Sequence, residues 1–191
     1  MKFLADEMCG AVCRWLRLLG YYTKFAKDYE DTYGTPVLDS DLLNECFKDH
    51  LILVSKDQEM VMRMKARYKQ VFKDDAELRN KFDLKGADKK LTPAILLNDS
   101  DVLVNLRSIY EMFHIRTEYN ADLARCSNCN AKLQKIEDPE SYESEIPERV
   151  FEYHSEFWRC TNAACGKLYW KGTHFTEIEE KLEMITDDSS N

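Results

Sequence analysis

Four of the seven cysteines fall into two close pairs, Cys126-Ser-Asn-Cys129 and Cys160-Thr-Asn-Ala-Ala-Cys165, separated by thirty residues. Each short loop folds two thiolates onto one ion, so the frame suits tetrahedral zinc. A zinc held by four thiolates has no position left for substrate, so such a site is structural. Asn130 and Gly166, each directly after a pair, are residue types that tolerate the positive φ needed to turn backbone amides toward the sulfurs. Four free or disulfide-bonded cysteines are the alternative. Paired spacings within an odd total instead read as metal ligation plus buried thiols in a reducing compartment. His154 and His174 flank the module and are expected at the surface or against substrate rather than as ligands. Cys9, Cys13 and Cys46 lie in apolar contexts without a base nearby in sequence, which argues against a catalytic thiol.

The second candidate chemistry rests on oxygen. Asp6 and Asp57 each follow a short apolar stretch, Phe3-Leu4-Ala5 and Leu51-Ile52-Leu53-Val54. If these are strands of an open parallel sheet, both carboxylates stand at carboxyl ends, where such sheets bind ligands. Asp39 and Asp41 could face the same crevice, and Asp99 or Asp101 follows a further apolar stretch. Clustered carboxylates repel one another unless a cation lies between them. Oxygen donors with room for water select Mg²⁺ or Mn²⁺, ions that serve phosphodiester cleavage. Aspartate is also an ordinary helix cap, and each of these residues could be only that.

The net charge is −8, which argues against a nucleic-acid partner at face value. The acids are concentrated, however: eight stand against one arginine in residues 137–157, and six against one lysine in residues 177–191. The remainder is net positive, with eleven bases against seven acids in residues 56–90. Arg14 and Arg17 on the segment after Asp6, and Lys56 and Arg63 around Asp57, are candidate phosphate contacts. Solvated helix faces are the plainer reading for each.

These residues need a scaffold. Apolar stretches at 2–5, 21–25, 51–54 and 94–97 read as strands. They alternate with helical patterns at 10–19, 42–47, 58–69 and 102–113, with Gly20 at the end of the first helix and Asp39-Ser40-Asp41 and Asn98-Asp99-Ser100-Asp101 as caps. That alternation means an α/β domain with a parallel sheet covered on both faces. Residues 70–91 are charged and read as a flexible insertion or a lid. The expected organisation is an α/β domain over 1–120, a zinc ribbon over 121–176 and an acidic, frayed tail over 177–191.

Phe3-Leu4-Ala5-Asp6-Glu7-Met8, Gly10 and Arg14-Trp15-Leu16-Arg17-Leu18-Leu19-Gly20-Tyr21 together resemble the opening of the Mut-seven carboxy-terminal RNase domain family. Leu53-Val54-Ser55-Lys56-Asp57 is similar to that family's strand ending in a Thr-Arg-Asp triplet. Arg125-Cys126-Ser127-Asn128-Cys129-Asn130 and Tyr169-Trp170-Lys171-Gly172-Thr173-His174 resemble its ribbon signatures. The resemblance implies a PIN-like nuclease fold followed by a four-cysteine zinc ribbon, and a metal-dependent ribonuclease with Asp6, Asp39 and Asp57 as its acidic triad. Ala11, Tyr22 and Asn105 depart from the family pattern.

Three functions follow for comparison. The first is an endoribonuclease, a hydrolase acting on single-stranded or structured RNA, with Mg²⁺ or Mn²⁺ as catalytic ion and zinc as structural ion. The second is a non-catalytic RNA- or ribosome-binding adaptor. The third, a small-molecule phosphatase, leaves the ribbon unexplained. The expected partner is RNA, with ribosome-associated RNA, tRNA and rRNA as candidates. No apolar run approaches the ~20 residues of a membrane span, and Asp6 and Glu7 interrupt any secretory signal, so a soluble cytoplasmic protein is expected.

Overall fold

The computed structural model describes residues 1–71, 76–84, 91–172 and 174–186. Its first part alternates β1 (Lys2–Ala5), α1 (Gly10–Leu18), β2 (Tyr22–Phe25), α2 (Glu30–Tyr33), α3 (Asp39–Asp49), β3 (Ile52–Ser55), α4 (Gln58–Val71), α5 (Ala76–Lys81), β4 (Ala94–Leu96) and α6 (Val102–Phe113). The four strands form one parallel sheet in the order β2-β1-β3-β4. Phe3, Leu4, Ala5 and Ile52 to Ser55 are buried, as a sheet covered on both faces requires. The chain leaves β1 toward β2 on one side and returns to pair β3 on the other. The crevice at this reversal therefore lies between the ends of β1 and β3.

Helices form where apolar side chains recur at helical spacing. Val12, Cys13 and Leu16 bury one face of α1, and Met60, Val61, Met64 and Tyr68 bury one face of α4. Gly20, just past the C-cap Leu19 of α1, has φ +89°; a Cβ there would lie 2.7 Å from the Leu123 carbonyl oxygen, so this turn admits only glycine where the later chain crosses it. Asp39 is the first residue of α3 and Leu38 its N-cap, so Asp39 is not the capping residue its position suggested.

The ribbon is a three-stranded antiparallel sheet of β5 (Leu133–Lys135), β6 (Phe157–Cys160) and β7 (Leu168–Trp170), in the order β5-β6-β7. The connection from β5 to β6 carries α7 (Glu148–Tyr153), and Ile136, Ile146 and Phe157 make a small core of their own.

Two expectations are corrected. The segment from residue 177, read as a frayed tail, instead belongs to α8 (His174–Thr186). It packs on α6 through the buried Leu182 and Ile185, and Arg107 donates to the carbonyls of Met184 and Ile185 at its end. Two apolar residues on one helical face outweigh the acids, which stay in solvent; residues 187–191 lie outside the described residues. Within the insertion at 70–91, Phe82 and Leu84 are buried, and Phe82 meets Phe47, His50 and Tyr68 edge-on, so this part is docked. Residues 72–75 and 85–90 lie outside the described residues. No described helix is long and apolar enough to cross a membrane.

Candidate functional site

Asp6 directly follows β1, Asp57 follows β3, and Asp39 opens α3; all three line one cleft of about 220 Å³. Each stands at the start of a helical segment. Asp6 Oδ1 accepts from the Met8 amide at 2.8 Å, and Asp57 Oδ1 accepts from the Met60 amide at 2.9 Å. The positive ends of these segments offset part of the repulsion between the carboxylates. Asp6 is the floor of the cleft, 6 % exposed, and its Oδ2 accepts from the Ser55 hydroxyl. Ser55 Oγ in turn accepts from the Asp57 amide at 2.9 Å, so one side chain ties both strand ends together. Arg63, itself outside the cleft lining, brings Nη1 to 3.6 Å from Asp39 Oδ2.

Three further charged residues line the cleft: Glu7, Lys27 and Glu30. Glu7 and Lys27 pair at 3.2 Å. Glu7 is the sequence neighbour of Asp6, whereas nothing local to Glu30 signals the cleft.

The other candidates stand elsewhere. Asp41 is half-buried in the first turn of α3 and does not line the cleft. Asp101 caps α6, its Oδ1 accepting from the Leu103 amide, and Asp99 closes the turn before it, its Oδ1 accepting from the Asp101 amide. Asn105, a departure from the family pattern, is buried and donates to the Asp99 carbonyl at 3.0 Å. Lys56 donates to that same carbonyl at 2.7 Å. Arg14 is exposed on α1 but does not line the cleft.

Arg17 does not fit a phosphate-binding role. It is 2 % exposed, and its donors are spent on the carbonyls of Thr23, Ser127 and Asn128 and on the carboxylate of Asp28. A guanidinium so enclosed has no face left for RNA. Asp28 is its counter-ion at 2.7 Å.

The second constellation is the cysteine cluster. One sulfur from each of Cys126, Cys129, Cys160 and Cys165 lies within 4.8 Å of the other three. The Cys126–Cys165 and Cys129–Cys160 separations are 3.7 and 3.3 Å. A tetrahedral zinc with ~2.3 Å bonds places sulfurs about 3.8 Å apart, so the cluster is close to closed around such an ion. These separations are too long for disulfides, and all seven cysteines are free. Asn130 and Gly166 have φ of +65° and +55°, as the loops required. Burial pushes the Cys126 thiol up, but the Tyr169 hydroxyl at 3.1 Å and nearby amides outweigh it, bringing the thiol down to about 6. A depressed thiol pKa favours the thiolate that a metal needs. Tyr169 opens the segment that resembles the family's ribbon signature, but its bond to Cys126 spans forty-three residues and has no local signal. His154 ends α7, away from the ligand set, and the His174 side chain lies outside the described residues.

Among the described residues the cysteines are the group whose ligand atoms are gathered this closely; the cleft carboxylates are more widely spread. The cluster can hold a metal such as zinc, and the sheet, cleft and cluster together define the chain's architecture. A family model described as the Mut7-C RNAse domain matches residues 1–182 of the 191. The chain belongs to the Mut7-C RNAse domain family. The match spans both the parallel sheet and the ribbon, so the Mut7-C RNAse domain here includes the cysteine cluster and all three cleft aspartates. No curated protein and no solved structure matches the chain significantly. Membership points to a nuclease or RNA-related role.

Proposed function

We propose that this chain is a metal-dependent ribonuclease in which Asp6, Asp39 and Asp57 hold Mg²⁺ or Mn²⁺ and Cys126, Cys129, Cys160 and Cys165 hold a structural zinc. The observation that carries the catalytic reading is that three carboxylates from three separate elements line one cleft at the reversal point of the sheet. The donor set is all oxygen, which suits these ions, and Mg²⁺ keeps several waters, so carboxylates need not crowd within direct contact of one another. A bound divalent ion would supply positive charge to phosphate oxygens and acidify a coordinated water.

The protein's own groups prepare the site. Ser55 and the Met8 amide fix both oxygens of Asp6, which orients the floor of the cleft. Asp57 commits Oδ1 to the Met60 amide, and its Oδ2 serves an ion or accepts a proton from the attacking water. Arg63 and Lys27 are the cations placed to meet RNA phosphates at the mouth. Three buried thiols outside the cluster, with no disulfide among the seven cysteines, suit a reducing compartment such as the cytoplasm.

The capping bonds of Asp6 and Asp57 favour the second reading, an RNA- or ribosome-binding adaptor in which these carboxylates only end helices. Cleavage of labelled RNA in Mn²⁺ separates the two. Wild type should cut and Asp6→Asn should lose orders of magnitude in rate while retaining RNA binding. Absence of metal-dependent cutting by wild type would leave the adaptor.

A further inference from the structure

We propose that Arg17 is a positioning residue that couples occupancy of the cysteine cluster to the wall of the acidic cleft. Ser127 and Asn128 are the two residues between the cluster ligands Cys126 and Cys129. Both of their carbonyls accept from Arg17 Nη1 at 3.0 Å. On its other side the same guanidinium donates through Nη2 to Asp28 Oδ2 at 2.7 Å. That oxygen also accepts from the Phe25 amide at 2.9 Å, which fixes the start of the 3-10 turn Ala26–Tyr29. Ala26 and Lys27 of this turn, and Glu30 after it, line the cleft. One buried side chain thus touches the knuckle loop at one end and the brace of the cleft wall at the other.

Parallel contacts reinforce the link. The Thr23 amide donates to Asn130 Oδ1 at 3.0 Å, and the Arg125 amide donates to the Arg17 carbonyl at 2.9 Å. Arg125 also lies over the Tyr22 ring, which gives that departure from the family pattern a packing role.

The link acts as a unit because of where the charge sits. Arginine stays protonated, so an enclosed guanidinium must keep its acceptors or leave its site. Anchoring Cys126 and Cys129 on one ion fixes the loop between them and aims both carbonyls at Arg17. Without the ion the loop is released, Arg17 loses two of its acceptors, and its hold on Asp28 is no longer geometrically enforced. Coupling of binding energies is reciprocal, so breaking the Arg17–Asp28 contact must weaken metal binding at the cluster. The consequence for catalysis rests on the ribonuclease reading; the coupling itself does not, and every measurement below is made without RNA.

Residue-level hydrogen exchange on the unmutated chain, metal-loaded and metal-stripped, is the first test. Stripping should lower protection of the Phe25 amide and of residues 26–30 at least tenfold while Leu53 and Val54 in the central strand stay protected. Unchanged protection at Phe25 overturns the proposal. So does uniform loss through β3, which would mean that metal supports the whole fold instead of this link.

The second test is Co²⁺ and Zn²⁺ affinity by chelator competition. Asp28→Asn, which touches no cysteine, should bind metal about fivefold or more weakly. Glu45→Gln removes a buried carboxylate that has no contact with Arg17 and should bind metal as wild type does. Equal affinity in Asp28→Asn and wild type, or equal losses in both variants, overturns the proposal. Should Asp28→Asn fail to fold, the exchange comparison on the unmutated chain decides.

Discussion

Ser55 donates its hydroxyl to the carboxylate of Asp6, and the two residues, forty-nine positions apart in sequence, thereby lock the ends of the two central strands. The same oxygen accepts from the Asp57 amide, so removing it leaves a buried acceptor and a donor unmet. Ser55→Ala should cost about 1–3 kcal/mol. For a chain of this length that lowers the melting temperature by roughly 2–4 °C per kcal/mol. Ser55→Thr should retain the hydroxyl and most of the stability. Calorimetry of the three proteins checks this, and a melting temperature unchanged in Ser55→Ala would show that the contact contributes nothing net.

The cysteine cluster should carry one zinc per chain, and its removal should melt the ribbon. The core there is only Ile136, Ile146 and Phe157 with their partly buried neighbours, too small to persist without the ion. Elemental analysis gives the stoichiometry, and near-ultraviolet circular dichroism on chelation reports Trp158 and Trp170, which lie on strands β6 and β7. Tyr169→Phe should release zinc at higher pH than wild type. The hydroxyl helps hold the Cys126 thiol well below its ordinary range, a contribution present in alkali and lost as pH falls through about 6. Zinc content near one in wild type and near zero in Cys160→Ser is the expected contrast; equal contents would place the metal elsewhere.

What the sequence disclosed depended on how local the cause was. The ligand frame, the positive-φ residues after it and the strands at 2–5 and 51–54 are short-range signals, and the structure has them as expected but for a one-residue shift of the second strand to Ile52–Ser55. Arg17 was illegible because its meaning comes from Ser127 and Asn128, 110 and 111 residues away; on α1 alone it looks like one of two solvated arginines. Glu30 and Asp28 share that difficulty, since only the packing of the turn after β2 separates a cleft-lining carboxylate from the counter-ion of Arg17. Helix α8 was hidden by composition: its acids dominate the count, while Leu182 and Ile185 decide its fate.

Acid stability should depend on Glu45, a buried carboxylate on α3. Burial pushes its pKa up, but hydrogen bonds from Tyr33 at 2.7 Å and Lys48 at 3.0 Å prevail and leave it lowered. A carboxyl depressed in the folded state contributes stability above its unfolded pKa, and that contribution is lost as pH falls through the folded value. Wild type should therefore lose stability below about pH 4 more steeply than Glu45→Gln. Tyr33→Phe, which removes the donor linking α2 to α3, should also flatten the loss. Urea denaturation at pH 7 and pH 3.5 measures this, and parallel curves for wild type and Glu45→Gln would refute it.

Arg63 offers a test in which two signals move in opposite directions. Its guanidinium stands 3.6 Å from Asp39, with both side chains nearly half exposed, at 44 % and 48 %. Facing outward, it is placed to meet an RNA phosphate; facing inward, it competes with a divalent ion for the Asp39 carboxylate. Arg63→Ala should therefore weaken RNA binding and reduce the salt dependence by about 0.7 in log–log slope, one single-strand phosphate contact. The same substitution should tighten Mn²⁺ binding, because Asp39 loses a neighbouring cation. Arg14→Ala, on α1 and outside the cleft lining, should leave Mn²⁺ affinity unchanged. Fluorescence anisotropy over a salt series gives the first quantity and Mn²⁺ electron paramagnetic resonance the second. Weaker RNA binding with weaker Mn²⁺ binding would mean that Arg63 supports the fold of the cleft instead of competing at its mouth. An unaltered salt slope would place the RNA phosphates on another face.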